Sequence, residues 1–210
     1  MAAPGRQLAS RNHPYCLIEA LQYLDNELLL AANRHHAPWL DELMVFFTER
    51  LVWFPAYFVL LVVLAYLMGR RAWLLLPLLG LSVALADSIS SRLFKPYFAR
   101  LRPCHDPNLS ATLNLVNGCG GQFGFISSHA ANAFALTVFM AIVLPRRFRV
   151  AKWLLLAWAL AVSYSRIYLA AHFPSDVLAG ALLGSVLAWG CAVVYKRLAV
   201  RWFGAEAAMR

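Results

Sequence analysis

The sequence predicts an all-α protein: a polytopic transmembrane bundle of about five to six spanning helices with an amphipathic N-terminal interfacial helix. Three observations predict it. The 210 residues are 61% hydrophobic and 14% charged, where ordinary globular chains hold about 45–50% and about 25%. The apolar residues gather into runs near the length that a bilayer core demands. The basic residues stand in short loops beside those runs, at Arg70 and Arg71, at Arg146, Arg147, Arg149 and Lys152, and at Lys196 and Arg197. The net charge of +9 therefore reads as membrane topology. No nucleic-acid partner is expected, because no basic stripe with interleaved exposed aromatics accompanies that charge.

In chain order, residues 1–14 read as a loose polar tail without the apolar region of a cleavable signal, so the first spanning helix would act as its own insertion signal. From Cys16 to Asn33 the period is helical. Leu17, Leu21, Leu24, Leu28 and Ala31 or Ala32 make an apolar stripe beside Glu19, Gln22, Asp25 and Glu27. Three carboxylates suit a helix lying in the interface plane, with a sixth spanning helix as the alternative. Pro38 to Glu49 reads as a second interfacial piece anchored by Trp39. The amphipathic helix is expected to cover or frame lipid access to the site. On this reading residues 1–50 form the tail and interfacial helices, 51–197 the membrane core with its catalytic loops, and 198–210 a cytoplasmic tail.

Five apolar runs follow: Leu51–Met68, Trp73–Phe94, Ser128–Leu144, Trp153–Leu169 and Val177–Tyr195. The basic loops after the first, third and fifth should be cytoplasmic, and alternation makes those three assignments agree. The segments Lys95–Ser127 and Ser165–Asp176 then share the outer face. Both carry chemistry. The expected location is the inner membrane, with the site facing the periplasm or exterior. Asp87, inside the second run, is expected to bond a neighbouring helix or Arg92.

Three clusters carry the chemistry. Lys95, Arg100 and Arg102 put three cations on an outer loop, where positive charge is disfavoured, so an anionic partner such as phosphate is expected. Ser127 is a good N-cap for the third run, whose first turn offers free N–H groups to an anion. Ser128 and His129 follow it, and Gly118, Gly120, Gly121 and Gly124 precede it with backbone that can approach a ligand closely. In the last cluster Arg166 can grip an oxyanion. His172 and Asp176 are four apart, so the carboxylate can hold one imidazole nitrogen and leave the other as base or nucleophile. Cations, donors, an attacking group and a proton donor are what phosphoryl transfer needs. A metal site on His105, Asp106, His129 and His172 is the alternative. Three cations around the site weigh against a divalent ion, and no cofactor is expected.

Together these motifs resemble the type 2 phosphatidic acid phosphatase family, which shares its core with vanadium-dependent haloperoxidases. The family pattern is Lys-x6-Arg-Pro, then Pro-Ser-Gly-His, then Ser-Arg-x5-His-x3-Asp. The chain has Lys95-x6-Arg102-Pro103 and Ser165-Arg166-x5-His172-x3-Asp176. Its middle motif is Ile126-Ser127-Ser128-His129, with Ser128 for the family glycine. The resemblance covers Asp87 to Ala188. It implies that His172 attacks phosphorus to form a phosphohistidine, that Asp176 orients it, and that His129 protonates the leaving oxygen. It further implies that Lys95, Arg102 and Arg166 hold the phosphoryl oxygens with Ser127 and Ser128, without a metal.

An integral membrane lipid phosphatase follows as the expectation, with the phosphate head in the site and the tail in the bilayer. Undecaprenyl diphosphate is the first-choice substrate, and phosphatidylglycerol phosphate, phosphatidic acid and lipid A phosphate are the alternatives. An anion-binding transporter would need a polar path through the bilayer, which the runs lack. A peroxidase on the same core fits poorly with membrane spans. Cys104 and Cys119 share the outer loop, where an oxidising exterior permits a disulfide. Cys191 should simply pack within its span.

Overall fold

The computed structural model describes residues 14–204. The expected loose tail at residues 1–13 and the end of the expected C-terminal tail at 205–210 lie outside them. The fold is all-α, 81% helical without strands among the described residues. In order come α1 (Pro14–Arg34), α2 (Pro38–Thr48), α3 (Arg50–Met68), α4 (Ala72–Ser88), a π-helical segment Ile89–Phe94, the short α5 (Lys95–Phe98), α6 (Ser128–Val143), α7 (Arg149–Tyr168) and α8 (Pro174–Phe203).

The five apolar runs become α3, α4 with its π-helical extension, α6, α7 and α8. At 19 residues, α3 is about 28 Å long, close to a hydrocarbon core. It stops at Gly69, whose φ of +51° suits a residue without Cβ, and a single 3₁₀ turn of Gly69–Arg71 leads into α4. The chain is a membrane protein with several apolar helices. Long apolar side chains such as Phe58, Tyr66, Leu178 and Leu182 point outward, as lipid contact requires. Trp73, Trp153 and Trp202, exposed by 86%, 69% and 62%, flank the basic loops like an interfacial belt. The last helix continues through Phe203, past residue 197 where the core was expected to end.

The tightest seam lies between α6 and α8. Ala130, Ala131 and Ala135 on α6 are fully buried, and α8 answers with Gly180, Gly184 and Ala188. A Cβ on Gly184 would overlap the carbonyl oxygen of Ala131, and one on Gly180 that of Ser127. The two backbones therefore touch, the small-xxx-small solution to packing in lipid. Farther from the loops, Phe139, Met140 and Tyr195 fill the seam against Leu75 and Leu79 of α4.

The N-terminal helix behaves as an amphipath with its polar side inward. Leu17, Leu21, Leu24 and Leu28 are exposed, while Asp25, Leu29 and Asn33, spaced by four, are buried. Its apolar stripe is left for lipid, and its polar stripe is spent on the loops. Asn33 Nδ2 donates to the carbonyls of Tyr168 (2.8 Å) and Asn114 (3.0 Å), and its Oδ1 accepts from Asn114 N–H. The Tyr168 hydroxyl donates to Asp41 of α2 at 2.6 Å. Both N-terminal helices are thereby moored to the loop end of α7.

Candidate functional site

The two chemistry-bearing segments meet at one end of the bundle. The N–H of Ser127 donates to the carbonyl of Asp176 at 3.0 Å, which joins the start of α6 to the start of α8. Ser127 caps α6, its hydroxyl accepting from Ala130 N–H. The sequence supports that geometry, because Ser127 has an extended backbone and its side chain replaces a lost intrahelical acceptor.

The π-helical segment leads directly into the first motif, whose Lys95 opens α5. A π turn widens the helix and re-aims the side chains that follow it. Ser90 donates to Ser128 Oγ at 2.9 Å and Lys95 Nζ donates to the same oxygen at 3.1 Å. Ser128, in the position of the family glycine, is thus buried and occupied by two donors, one of them cationic. Its own proton remains as a donor.

Arg102 is almost wholly buried, with Nε donating to the carbonyl of Phe123 at 3.3 Å. Glycine makes this possible. A Cβ at Gly120 would meet the guanidinium at 2.8 Å, and one at Gly124 would meet both Arg102 Cγ and Asp176 Oδ2 at 3.2 Å. Burial lowers the Arg102 pKa, and Asp176 opposes that shift by holding the charge. Arg166, on the last turn of α7, donates through Nη1 to Thr48 of α2, and its carbonyl accepts from His172 N–H at 3.1 Å.

His172 is buried in the turn between α7 and α8. Desolvation, then Arg166, Arg102 and Lys95, push its pKa well below 6.5, opposed by the nearby Gly124 carbonyl. The ring is neutral at pH 7, which leaves a lone pair for attack. The three sequence-predicted cations are therefore gathered around this one imidazole. Asp176 Oδ2 lies 3.7 Å from Nδ1, beyond hydrogen-bonding distance, and Nδ1 has no hydrogen-bond partner. The carboxylate is instead held by Phe173 N–H at 3.0 Å and Arg100 Nη1 at 2.8 Å.

Arg100 corrects one expectation. Its anionic partner is the protein itself. The other arm of the guanidinium reaches Asp25 of α1 at 2.7 Å, and the group lies 4.2 Å over the Phe173 ring. Asp25 also accepts from the N–H of Ser175 at 2.9 Å and from its hydroxyl, at the first turn of α8. Asp25, Ser175 and Thr48 were not singled out from the sequence. The polar pair Asp25 and Asn33, eight apart and so on one face of the helix, was the available signal. The apolar stripe on the other face of α1 obscured it.

His129 stands in the first turn of α6, half-buried, at the mouth of a cavity of about 720 Å³. Thr48, Asp87, Ser128 and Asn132 line the same end, and Trp53, Tyr57, Leu79 and Val162 form the apolar remainder. None of the described lining residues belongs to α1; the end of α2 and the first turns of α3 contribute Phe47, Thr48, Trp53 and Tyr57. Asp87 accepts from Asn132 Nδ2 of α6 at 3.0 Å, a bond to a neighbouring helix.

His105, Asp106, His129 and His172 do not form a metal-ligand group among the described residues. The one grouping of potential ligands found there is Cys104, His105 and Cys119. The two cysteines are joined as a disulfide with Cα atoms 5.8 Å apart, so their sulfurs are not thiolates. Cys191 is buried within α8 and packs in the core cluster.

Comparison with known proteins places these features in a wider set. A sequence model described as the PAP2 superfamily matches residues 72–199. The chain is 35% identical over 191 residues to a lipid A 4'-phosphatase of Bacteroides thetaiotaomicron, covering 88% of this chain and 83% of the relative. A lipid A 4'-phosphatase of Porphyromonas gingivalis is 31% identical over 90% of this chain and 80% of its own. Among solved structures, Aquifex aeolicus LpxE superposes with a TM-score of 0.58 at 26% identity, covering 81% of this chain and 93% of that one. The PAP2-type phosphatidylglycerolphosphate phosphatase of Bacillus subtilis gives 0.60 at 25% identity, covering 85% and 88%.

Proposed function

Because the chain belongs to the PAP2 superfamily and is a membrane lipid phosphatase, we propose lipid A phosphate as its substrate and His172 as its nucleophile. One observation carries the substrate: 35% identity, across nearly the whole chain, to a lipid A 4'-phosphatase. It favours the lipid A alternative over undecaprenyl diphosphate.

The residues support the following mechanism. Lys95, Arg102 and Arg166 surround a neutral His172 and hold the phosphoryl oxygens, with Ser127 and Ser128 assisting. Nδ1 faces Asp176, so Nε2 attacks phosphorus. The P–Nε2 bond forms as the ester P–O bond breaks, and His129 gives its proton to the departing sugar oxygen. Asp176 then stabilises the charged ring once the 3.7 Å gap to Nδ1 closes, a tightening expected when substrate fills the site. His129, now neutral, takes a proton from water as the water attacks the phosphohistidine. Inorganic phosphate leaves and His172 returns to its starting state. The donor set is complete without a metal, and the apolar cavity beside His129 takes the lipid tail. The site faces the periplasm across the inner membrane, on the distribution of basic loops.

The test is phosphate release in detergent with EDTA from lipid A, undecaprenyl diphosphate and phosphatidic acid, by wild type and His172→Ala. Release from lipid A by the wild type alone is the expected result. Faster release from undecaprenyl diphosphate overturns the substrate, and metal-dependent release overturns the mechanism.

A further inference from the structure

Helix α1 lies ahead of residues 72–199, the part that matches the PAP2 superfamily, yet one of its side chains reaches the site. Asp25 is buried and spends both carboxylate oxygens there. Oδ2 accepts from Arg100 Nη2 at 2.7 Å and from the Ser175 hydroxyl, and Oδ1 accepts from Ser175 N–H at 2.9 Å. The Ser175 contacts fill a gap left by the sequence of α8. A helix start needs acceptors for its first N–H groups. Phe173 at the N-cap has no side-chain oxygen to offer and Pro174 has no N–H, so the first N–H within α8 is that of Ser175. Asp25, 150 positions away, supplies its acceptor. The Arg100 contact decides how that cation is used. Its Nη1 donates to Asp176 Oδ1 at 2.8 Å and to Ser175 Oγ at 2.7 Å, while Nη2 belongs to Asp25. A guanidinium with both arms free takes a carboxylate through two parallel bonds. Here the second arm is held elsewhere, so Arg100 meets Asp176 at Oδ1 alone. Oδ2 is left to Phe173 N–H and to the side of His172, 3.7 Å from Nδ1.

We propose that Asp25 is a positioning residue for phosphoryl transfer: by sharing Arg100 and tying down the first turn of α8, it keeps Asp176 aimed at His172. It acts through these neighbours and touches neither the substrate nor the reacting atoms. The inference rests on the proposed roles of His172 and Asp176. Neutralising Asp25 releases Nη2, and Arg100 then closes on both oxygens of Asp176. The carboxylate is drawn away from the imidazole that it must stabilise as the P–Nε2 bond forms. The loss falls on the chemical step, because no contact to the substrate is removed.

The experiment measures kcat and KM for phosphate release by the full chain in detergent. The probe is whichever of lipid A, undecaprenyl diphosphate and phosphatidic acid the wild type dephosphorylates fastest, so the choice of substrate does not decide the outcome. Asp25→Asn keeps the shape of the side chain and removes its charge. It should lower kcat by about ten- to a hundredfold, the scale of a misaligned reacting group, and leave KM within about twofold. Asp25→Glu keeps the charge and should recover part of that kcat. Asn33→Ala cuts the separate mooring of α1 to the carbonyls of Tyr168 and Asn114; it should lower the melting midpoint and keep kcat. In an Arg100→Gln background, Asp25→Asn should lower kcat no further, because the route to Asp176 is already gone. A wild-type kcat in Asp25→Asn overturns the proposal. So does a loss confined to KM, an equal loss of kcat in Asn33→Ala, no recovery in Asp25→Glu, or a full second loss in the double variant. His172→Ala is assayed alongside. If it stays active, the nucleophile is overturned and the role of Asp25 with it. If it is inactive while Asp25→Asn matches the wild type, the role of Asp25 alone is overturned.

Discussion

The loop end of the bundle and the cavity beneath it are built on opposite principles. Around His172 every charged group is locked. Asp176 is gripped by Arg100 and Phe173 N–H, Arg100 by two carboxylates, and the α6–α8 backbones touch through glycine. The cavity walls are single aromatic and aliphatic side chains from α3, α4, α6 and α7, and α3 shows most of its surface to the outside. On the proposed function the difference follows from two tasks. Phosphoryl transfer depends on donors and cations fixed before the substrate arrives. A lipid tail must slide in from the bilayer, which a rigid, closed wall would forbid.

The contrast can be broken first at the nucleophile. His172→Ala should cut phosphate release by at least about 10³-fold while leaving the bundle folded, read from initial rates with thermal melting as control. Next comes the seam that holds the site. Gly184→Leu pushes a side chain into the Ala131 carbonyl and should destabilise the bundle by about 3 kcal/mol or more, seen as a lowered midpoint in detergent. Arg100→Ala leaves Asp25 and Asp176 facing each other without their cation. It should cost about 3 kcal/mol and lower kcat more than it raises KM, whereas a change in KM alone would show that Arg100 binds substrate. On the cavity side, Leu79→Trp should raise KM for long-chain substrates by roughly tenfold and spare kcat.

The smallest effect is on pH. The folded His172 refuses a proton that the unfolded chain takes up at 6.5, so stability from this group is full above 6.5 and falls as pH drops below it. The acid limb of kcat/KM should likewise lie well below 6.5. Arg166→Gln removes one of the cations that disfavour the imidazolium, so that limb should move to higher pH. An unmoved limb would show that the titrating group is not His172.

Several of these features could be read directly from the sequence. Spans were legible because lipid demands unbroken apolar length, and helix α3 ends where Gly69 allows it. Lys95, Ser127, Ser128, His129, Arg166, His172 and Asp176 stood out because ionisable and capping residues at membrane ends have few other uses. Arg100 was visible as a cation, yet its partner was not. Asp25 lies 75 positions away, and no spacing rule links them. The inward face of α1 was misleading for a related reason. In lipid the apolar stripe is the outer one, so amphipathicity marks a helix without telling which stripe meets the protein.

The sequence by itself determined the class, the spans and the chemical inventory, since these depend on local composition against a bilayer and on motif spacing. Tertiary structure alone decided the pairing. It drew three distant cations around one imidazole, diverted Arg100 to two carboxylates, and tied Asn132 of α6 to Asp87 of α4. Each of these depends on helices meeting at close range. At Gly180 and Gly184 that range is set by the absence of a side chain, and its consequence appears only once α6 has come into contact.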